Sequence, residues 1–378
     1  MESLRAAGVP VLDLTLSNPT DAGLPYPAAI PALLSQPDVM RYHPSPQGDF
    51  EARRAISGYY RGRGETREPE DIFLTASTSE AYSFLFKLLC DPGDEILIPS
   101  PTYPLFDALA ELENVSLVRY PLRREQQNWK TDMDFLHRLV STRSKALILV
   151  NPNNPTGHMA GKNEIAAYLD LASRHDLVLI VDEVFSDYPL GAGTFLPVVS
   201  RGPLVFTLNG LSKMLALPQM KLGWIHVAGE PGLAAEAKAQ LEWIADAFLS
   251  VNTPVQLACP RLLALRTEIQ GPINRRLQAN LAFAKALCAD ASGLQAIIPD
   301  AGWYLVLSAG AAMPDEEFAL DLLRKKHVHA HPGHLFGFAG QGLNQPPCPL
   351  VLSLLAPEPD FQEGLRRILA FNREAVDA

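Results

Sequence analysis

The sequence predicts an α/β protein: a large part built on a mainly parallel seven-stranded sheet between helices, with a smaller α+β part after it. Three observations carry this reading. Short β-rich runs alternate with helical patterns through the middle of the chain, as strand–helix–strand units do. From Pro231 onward the pattern changes to long Ala-, Leu- and Arg-rich helical stretches, and strand-like runs return only towards the end. The 378 residues are enough for about two domains around a large buried core.

The strands expected in order are Ile72–Thr75, Glu95–Pro99, Ser116–Pro121, Lys145–Val150, Leu177–Val181, Val205–Leu208 and Leu222–Val227. After the first, Ala81, Leu85, Leu88 and Leu89 recur at helical spacing from Ser79 to Cys90, and the turn Asp91-Pro92-Gly93-Asp94 ends that helix. Beyond Pro231 the helical stretches break at Asn252-Thr253-Pro254 and at Gly271-Pro272. Strand-like runs follow at Trp303–Leu307, Val328–His331 and Leu350–Leu354, with helices over Asp315–Lys326 and Phe361–Ala370. The expected division is residues 1–40 as an N-terminal segment joining the small domain, 41–265 as the large domain, and 266–378 as the small domain.

Composition excludes several classes. Lys and Arg total 32 against 42 Asp and Glu, a net charge of −10 spread along the chain, so nucleic acid is not an expected partner. The longest apolar runs, such as Ala146–Val150 and Leu177–Val181, are far shorter than the roughly 20 residues of a membrane span, and no membrane is expected either. Met1-Glu2-Ser3-Leu4-Arg5-Ala6 lacks the apolar run and cleavage site of a secretory signal, which makes the cytoplasm the expected compartment. Cys90, Cys259, Cys288 and Cys348 stand far apart with no Cys-x-x-Cys pair, against both a disulfide framework and a zinc site. His327, His329 and His331 alternate as if on one strand face, with His334 nearby. No carboxylate or cysteine completes a ligand set, so no metal is expected.

In an open parallel sheet, ligands collect beyond the carboxyl ends of the strands, and the unusual polar residues fall there. One strand delivers Asn151-Pro152-Asn153-Asn154-Pro155-Thr156-Gly157, the next Asp182, and the next leads through Asn209-Gly210-Leu211-Ser212 to Lys213. The series Asn-Pro-x-Asn-Pro-Thr-Gly, Asp-Glu-Val-Phe and Leu-Ser-Lys, in that order, resembles the fold-type I, pyridoxal-5′-phosphate (PLP) dependent aminotransferases of class I/II, the aspartate aminotransferase-like superfamily. Tyr42 through Gly48 to Arg53, Pro92-Gly93-Asp94-Glu95, Pro101-Thr102-Tyr103-Pro104, Gly302-Trp303-Tyr304, and Pro332-Gly333 with Phe336 extend the resemblance over most of the chain. It implies the PLP-dependent transferase fold of type I and a transaminase moving an amino group from an amino donor to a 2-oxo acid acceptor. It also implies a homodimer with shared active sites.

The roles it implies make chemical sense. A lysine amine, with a pKa of about 10.4 in water, must be desolvated or set beside positive charge to act as a nucleophile; Lys213 is the expected Schiff-base lysine and proton carrier. Asp182 would keep the cofactor's ring nitrogen protonated, although Asp after a strand is also a common helix cap. Glu183 is expected to cap or pack. Asn154 would hydrogen-bond the phenolic oxygen, and Tyr103 would stack on the ring. Ser77-Thr78-Ser79 at a helix start would cradle the phosphate, with capping as the plain alternative for at least one hydroxyl. Ser212 and Lys221 would add contacts, and Tyr42 would reach the phosphate of a neighbouring subunit.

Two departures bear on substrate. Phe185 stands where many relatives have a tyrosine, which removes one donor and predicts a Schiff base of higher pKa. Val351 stands where the family's carboxylate-binding arginine lies, and no Lys or Arg occurs between Lys326 and Arg366. Either another residue supplies that charge, with Arg275, Arg276 and Arg41 as candidates, or the amine is not an ordinary α-amino acid. Another PLP reaction, such as C–S β-elimination or decarboxylation, and a non-catalytic ligand-binding protein are the competing readings. A nicotinamide enzyme is disfavoured by the absence of Gly-x-Gly-x-x-Gly after the first strand.

Overall fold

Eight strands form the central sheet, in the spatial order Ile72–Thr75, Gly223–Ala228, Val205–Gly210, Val178–Asp182, Ser144–Val150, Glu95–Ser100, Ser116–Glu125 and Asn128–Thr131. The run from Val205–Gly210 to Ser116–Glu125 is parallel. Gly223–Ala228 lies antiparallel to both neighbours, and Asn128–Thr131 pairs antiparallel at the edge. The structure is a computed structural model and describes residues 4, 6–125, 128–191, 193–289, 293–338 and 345–376. Met1, Glu2, Ser3 and Arg5, part of the segment read for a secretory signal, lie outside the described residues.

The alternation within each strand explains why the sheet is covered on both sides. Along Ser144–Val150, Leu147 and Leu149 enter one apolar core while Ala146, Ile148 and Val150 enter the other, the period-two pattern of a doubly buried strand. On the second face pack the helices Thr78–Leu89 and Pro231–Phe248, through Phe84, Leu85, Ala237 and Leu241. All seven expected strands are present. The eighth, Asn128–Thr131, has one buried apolar side chain, Trp129, too few for a periodic signal.

A second, four-stranded antiparallel sheet runs Leu294–Ile297, Tyr304–Ala309, Pro349–Ser353, His331–Pro332, with helices Asp315–Lys326 and Glu358–Val376. Near the N-terminus, Leu12–Asp13 pairs in parallel with Val328–His329. Among the described residues no helix is long and apolar enough to cross a membrane.

Two sequence expectations fail here. Gly271-Pro272 does not interrupt the chain's helices, because Arg266–Ala289 runs through it. Proline in a helix interior costs about 3 kcal/mol, but Ile269, Ile273, Leu277, Leu281 and Ala284 are buried along one stripe, each large one contributing about 1.5–3 kcal/mol. The three alternating histidines do not line one strand: His327 is the left-handed residue that ends Asp315–Lys326, with φ +55°, and the run Val328–His331 splits between two pairings, although His329 and His331 keep their rings together, centroids 5.9 Å apart.

Candidate active site

Beyond the carboxyl ends of the parallel strands lies a cavity of about 290 Å³. Its lining includes Ser77, Thr78, Ser79, Tyr103, Asn154, Asp182, Ser212, Lys213 and Lys221, so every residue expected at the site except Tyr42 meets there. Tyr42 is 65% exposed and lies outside this lining. The strand ends are tied together by their backbones: Asn151 N–H donates to Asp182 O at 2.8 Å, and Glu183 N–H to Leu208 O at 2.9 Å.

Asp182 is buried and accepts from the Tyr82 hydroxyl at 2.9 Å and Val184 N–H at 3.1 Å. Burial pushes its pKa up to about 6, opposed by those two donors and by Lys213. Lys213 is partly buried across from it; desolvation lowers its pKa and the Asp182 charge works against that. The result is an amine more easily neutral than in water beside a carboxyl more easily protonated. The Lys213 Nζ lies 5.3 Å from the Trp303 ring centroid and 5.9 Å from that of Phe185.

The hydroxyl cradle is built by a helix start and a glycine contact. Ser77 is the N-cap of Thr78–Leu89, its side chain accepting from Glu80 N–H at 3.1 Å, so the plain capping role holds for Ser77. The first N–H groups of a helix have no intrahelical acceptor and carry its positive end. Gly223 lies under this turn: a Cβ there would stand 3.0 Å from Ser77 C and 3.1 Å from Thr78 N. Lys221 enters the cavity from a left-handed residue, φ +52°.

Sequence reasoning missed Tyr82, Ser17 and, as a wall residue, Tyr304. Tyr82 lies one turn after Thr78 on the same helix face, a signal that was there to read. Ser17 and Tyr304 meet in the cavity lining from distant parts of the chain, which no local pattern announces; burial pushes the Tyr304 hydroxyl up to about 12. Glu183 is fully buried and ion-paired with Arg67 at 3.0 Å. Val351 is buried opposite Val306 and His331. Among the lining residues the cations are Lys213 and Lys221. Arg276 instead donates to Ala22 O and Leu355 O, Arg41 lines a separate groove with Asp38 and Arg53, and Arg275 is not in the lining, so none of the three arginines considered from sequence lines the cavity. Among the described residues no group of three His, Cys, Asp or Glu could hold a metal.

The family model for aminotransferase class I and II matches residues 9–344. The chain belongs to this family. An alanine aminotransferase of Mycobacterium tuberculosis is 30% identical to this aminotransferase over 349 residues, 89% of this chain and 80% of that one. A tyrosine aminotransferase of Caenorhabditis elegans is 26% identical over 298 residues, 78% of this chain but 64% of the relative. The solved alanine aminotransferase of Pyrococcus furiosus superposes with a TM-score of 0.89 at 25% identity, covering 99% of this chain and 95% of that one. The fold is that of the fold-type I aminotransferases, and members of the family use PLP.

The aminotransferase has residues that fit this cofactor. Asn154 is buried in the cavity wall, where its amide N–H2 can donate to an oxygen of a bound group. Lys213, the carboxyl of Asp182 and the helix start at Thr78 supply an amine, an anionic partner and an anion cradle in one space.

Proposed function

We propose that Lys213 is the lysine to which PLP attaches in this aminotransferase, which moves an amino group between an amino acid and a 2-oxo acid. The observation that carries this reading is the placement of a desolvated lysine and a buried carboxyl in one cavity beyond the strand ends. Asp182 would face the ring nitrogen, Asn154 the phenolic oxygen and Tyr103 the ring. Ser77, Thr78, Ser79, Ser212 and Lys221 would hold the phosphate, Lys221 as a point charge.

When bound, PLP supplies an electron sink that makes the substrate's α-hydrogen acidic. The chain's residues do the rest. Asp182, held by Tyr82 and Val184, keeps a negative charge aimed at the ring nitrogen and so favours its protonation. The Lys213 amine, neutral more readily than a lysine in water, takes the proton from the α-carbon and returns it at the neighbouring position. The partly apolar wall of Leu105, Val184, Phe185 and Tyr304 limits water and supports an amino donor with an uncharged side chain, as do the relatives' names, alanine and tyrosine aminotransferase.

A homodimer belongs to the same reading. Met40, Tyr42 and Trp243 are large apolar side chains left 88%, 65% and 80% exposed, a surface that suits a second copy and would let Tyr42 approach its site. The division into residues 1–40, 41–265 and 266–378 fits the second sheet and the N-terminal strand that pairs beside it. The four free thiols support a cytoplasmic location. The test is transamination with L-alanine and a 2-oxo acid by wild type and Lys213→Ala. Turnover by wild type alone supports the reading; a variant as active as wild type overturns it.

A further inference from the structure

The turn that carries Lys213 is too short to hold itself. Leu211–Met214 is a single helical turn, and a first turn is unfavourable to nucleate and leaves its last carbonyls without partners in the helix. Side chains from distant parts of the chain supply the donors. The Tyr188 hydroxyl shares its one proton between Lys213 O at 2.8 Å and Met214 O at 3.1 Å. Gln270 Nε2 donates to Met214 O at 2.8 Å, and the Tyr26 hydroxyl to Ala216 O at 2.6 Å. Tyr188 also meets the lysine's other end: its ring packs on Trp303, centroids 5.2 Å apart, and Trp303 is the ring nearest Lys213 Nζ, at 5.3 Å.

Tyr188 is held from behind in turn. Its neighbour Asp187 accepts from the Tyr59 hydroxyl at 2.8 Å and lies 3.6 Å from Arg266 and 3.9 Å from Arg63. Arg63 donates to Ser186 at 3.0 Å, and Glu183 pairs with Arg67 at 3.0 Å. Along Asp182–Tyr188, Asp182, Val184 and Phe185 line the cavity, while Glu183, Ser186 and Asp187 are pinned to a charged layer outside it.

We propose that Tyr188 is a positioning residue for Lys213: its hydroxyl clamps the end of the lysine turn to the pinned segment that also carries Asp182, so that amine and carboxyl keep one relative placement. The Lys213 Nζ ends a four-carbon stem, so a shift of its backbone moves the amine with it, and a misplacement of about 1 Å can slow a reaction by about 100-fold. The inference rests on the role given to Lys213 above.

Tyr188→Phe removes one oxygen and keeps the ring on Trp303. Lys213 O keeps the Ala216 N–H at 3.1 Å and Met214 O keeps Gln270, so the fold persists. The experiment measures acetylation of Lys213 against pH in the cofactor-free protein by mass spectrometry, together with kcat and KM of the loaded enzyme. The expected result is a labelling midpoint that rises towards lysine's ordinary value as water reaches a loosened turn, with kcat lowered about 10- to 100-fold and KM for the donor changed far less. Gln270→Leu, acting on Met214 O alone, shifts the midpoint the same way by less and decides the matter should Tyr188→Phe fail to fold. An unchanged midpoint and kcat, even with a lower melting temperature, would overturn the proposal and leave Tyr188 as packing. A Lys213→Ala protein that transaminates as well as wild type sinks the reading of Lys213 instead, whatever Tyr188 does.

Discussion

At the residue scale, Asp182 makes the site sensitive to pH before any cofactor binds. Its folded-state pKa is raised from 3.8 to about 6 by burial, so the folded protein holds this proton more tightly than the unfolded chain. Stability from this group is therefore greatest when it is protonated and falls as pH rises from 3.8 through about 6. Asp182→Asn keeps the shape and removes the charge. The cofactor-free variant is expected to be more stable than wild type at pH 8, by on the order of 1–3 kcal/mol, while transamination falls by about 100-fold or more. Melting curves against pH and an activity assay check both halves. Phe185 gives a second expectation: it lines the cavity without a donor, so Phe185→Tyr should lower the pH midpoint of the loaded enzyme's visible band by about one unit. An unchanged midpoint would show that position 185 does not bear on the cofactor's titration.

At the scale of elements, the cradle depends on how closely the start of Thr78–Leu89 approaches the strand Gly223–Ala228. Gly223→Ala places a methyl group 3.0 Å from Ser77 C and 3.1 Å from Thr78 N, backbone atoms that can only move away. PLP affinity is expected to fall about tenfold, the order of ~1–2 kcal/mol carried by a helix terminus and its anion, with helix content by circular dichroism unchanged. Behind the site, Arg67→Met strands the fully buried Glu183 and is expected to cost about 3–5 kcal/mol in a denaturation curve; Arg67→Met with Glu183→Gln recovers part of it. Element placement also explains what could be read in advance. Lys213, Asp182 and Asn154 stand a few residues past β-rich runs, and that local order was enough to bring them together. Tyr188 and Trp303 reach the lysine turn through contacts 25 residues or more away along the chain, where spacing says nothing. Ser77 was readable in both its roles, since capping and phosphate binding use the same helix end.

At the scale of the whole molecule, the alternation of strands and helices was readable because burial on both faces makes central parallel strands such as Ser144–Val150 and Val178–Asp182 near-continuous apolar runs. The helix through Gly271-Pro272 was not, because burial along Ile269, Ile273 and Leu277 overrides a local breaker. Oligomeric state belongs to this scale as well. The exposed Met40, Tyr42 and Trp243 predict a dimer by sedimentation at micromolar concentration, and Trp243→Glu is expected to shift it towards monomer. A wild-type monomer would remove the dimer from the account. The claim on which the rest depends is that Lys213 holds the cofactor of a transaminase. The measurement that tests it most directly is the absorbance spectrum of the PLP-loaded protein before and after L-alanine, with Lys213→Ala alongside. The account predicts a visible band in wild type that amino donor bleaches towards the pyridoxamine form and a 2-oxo acid restores, with no such lysine-bound band in the variant; a wild-type protein without the band, or a variant that keeps it, would contradict the account.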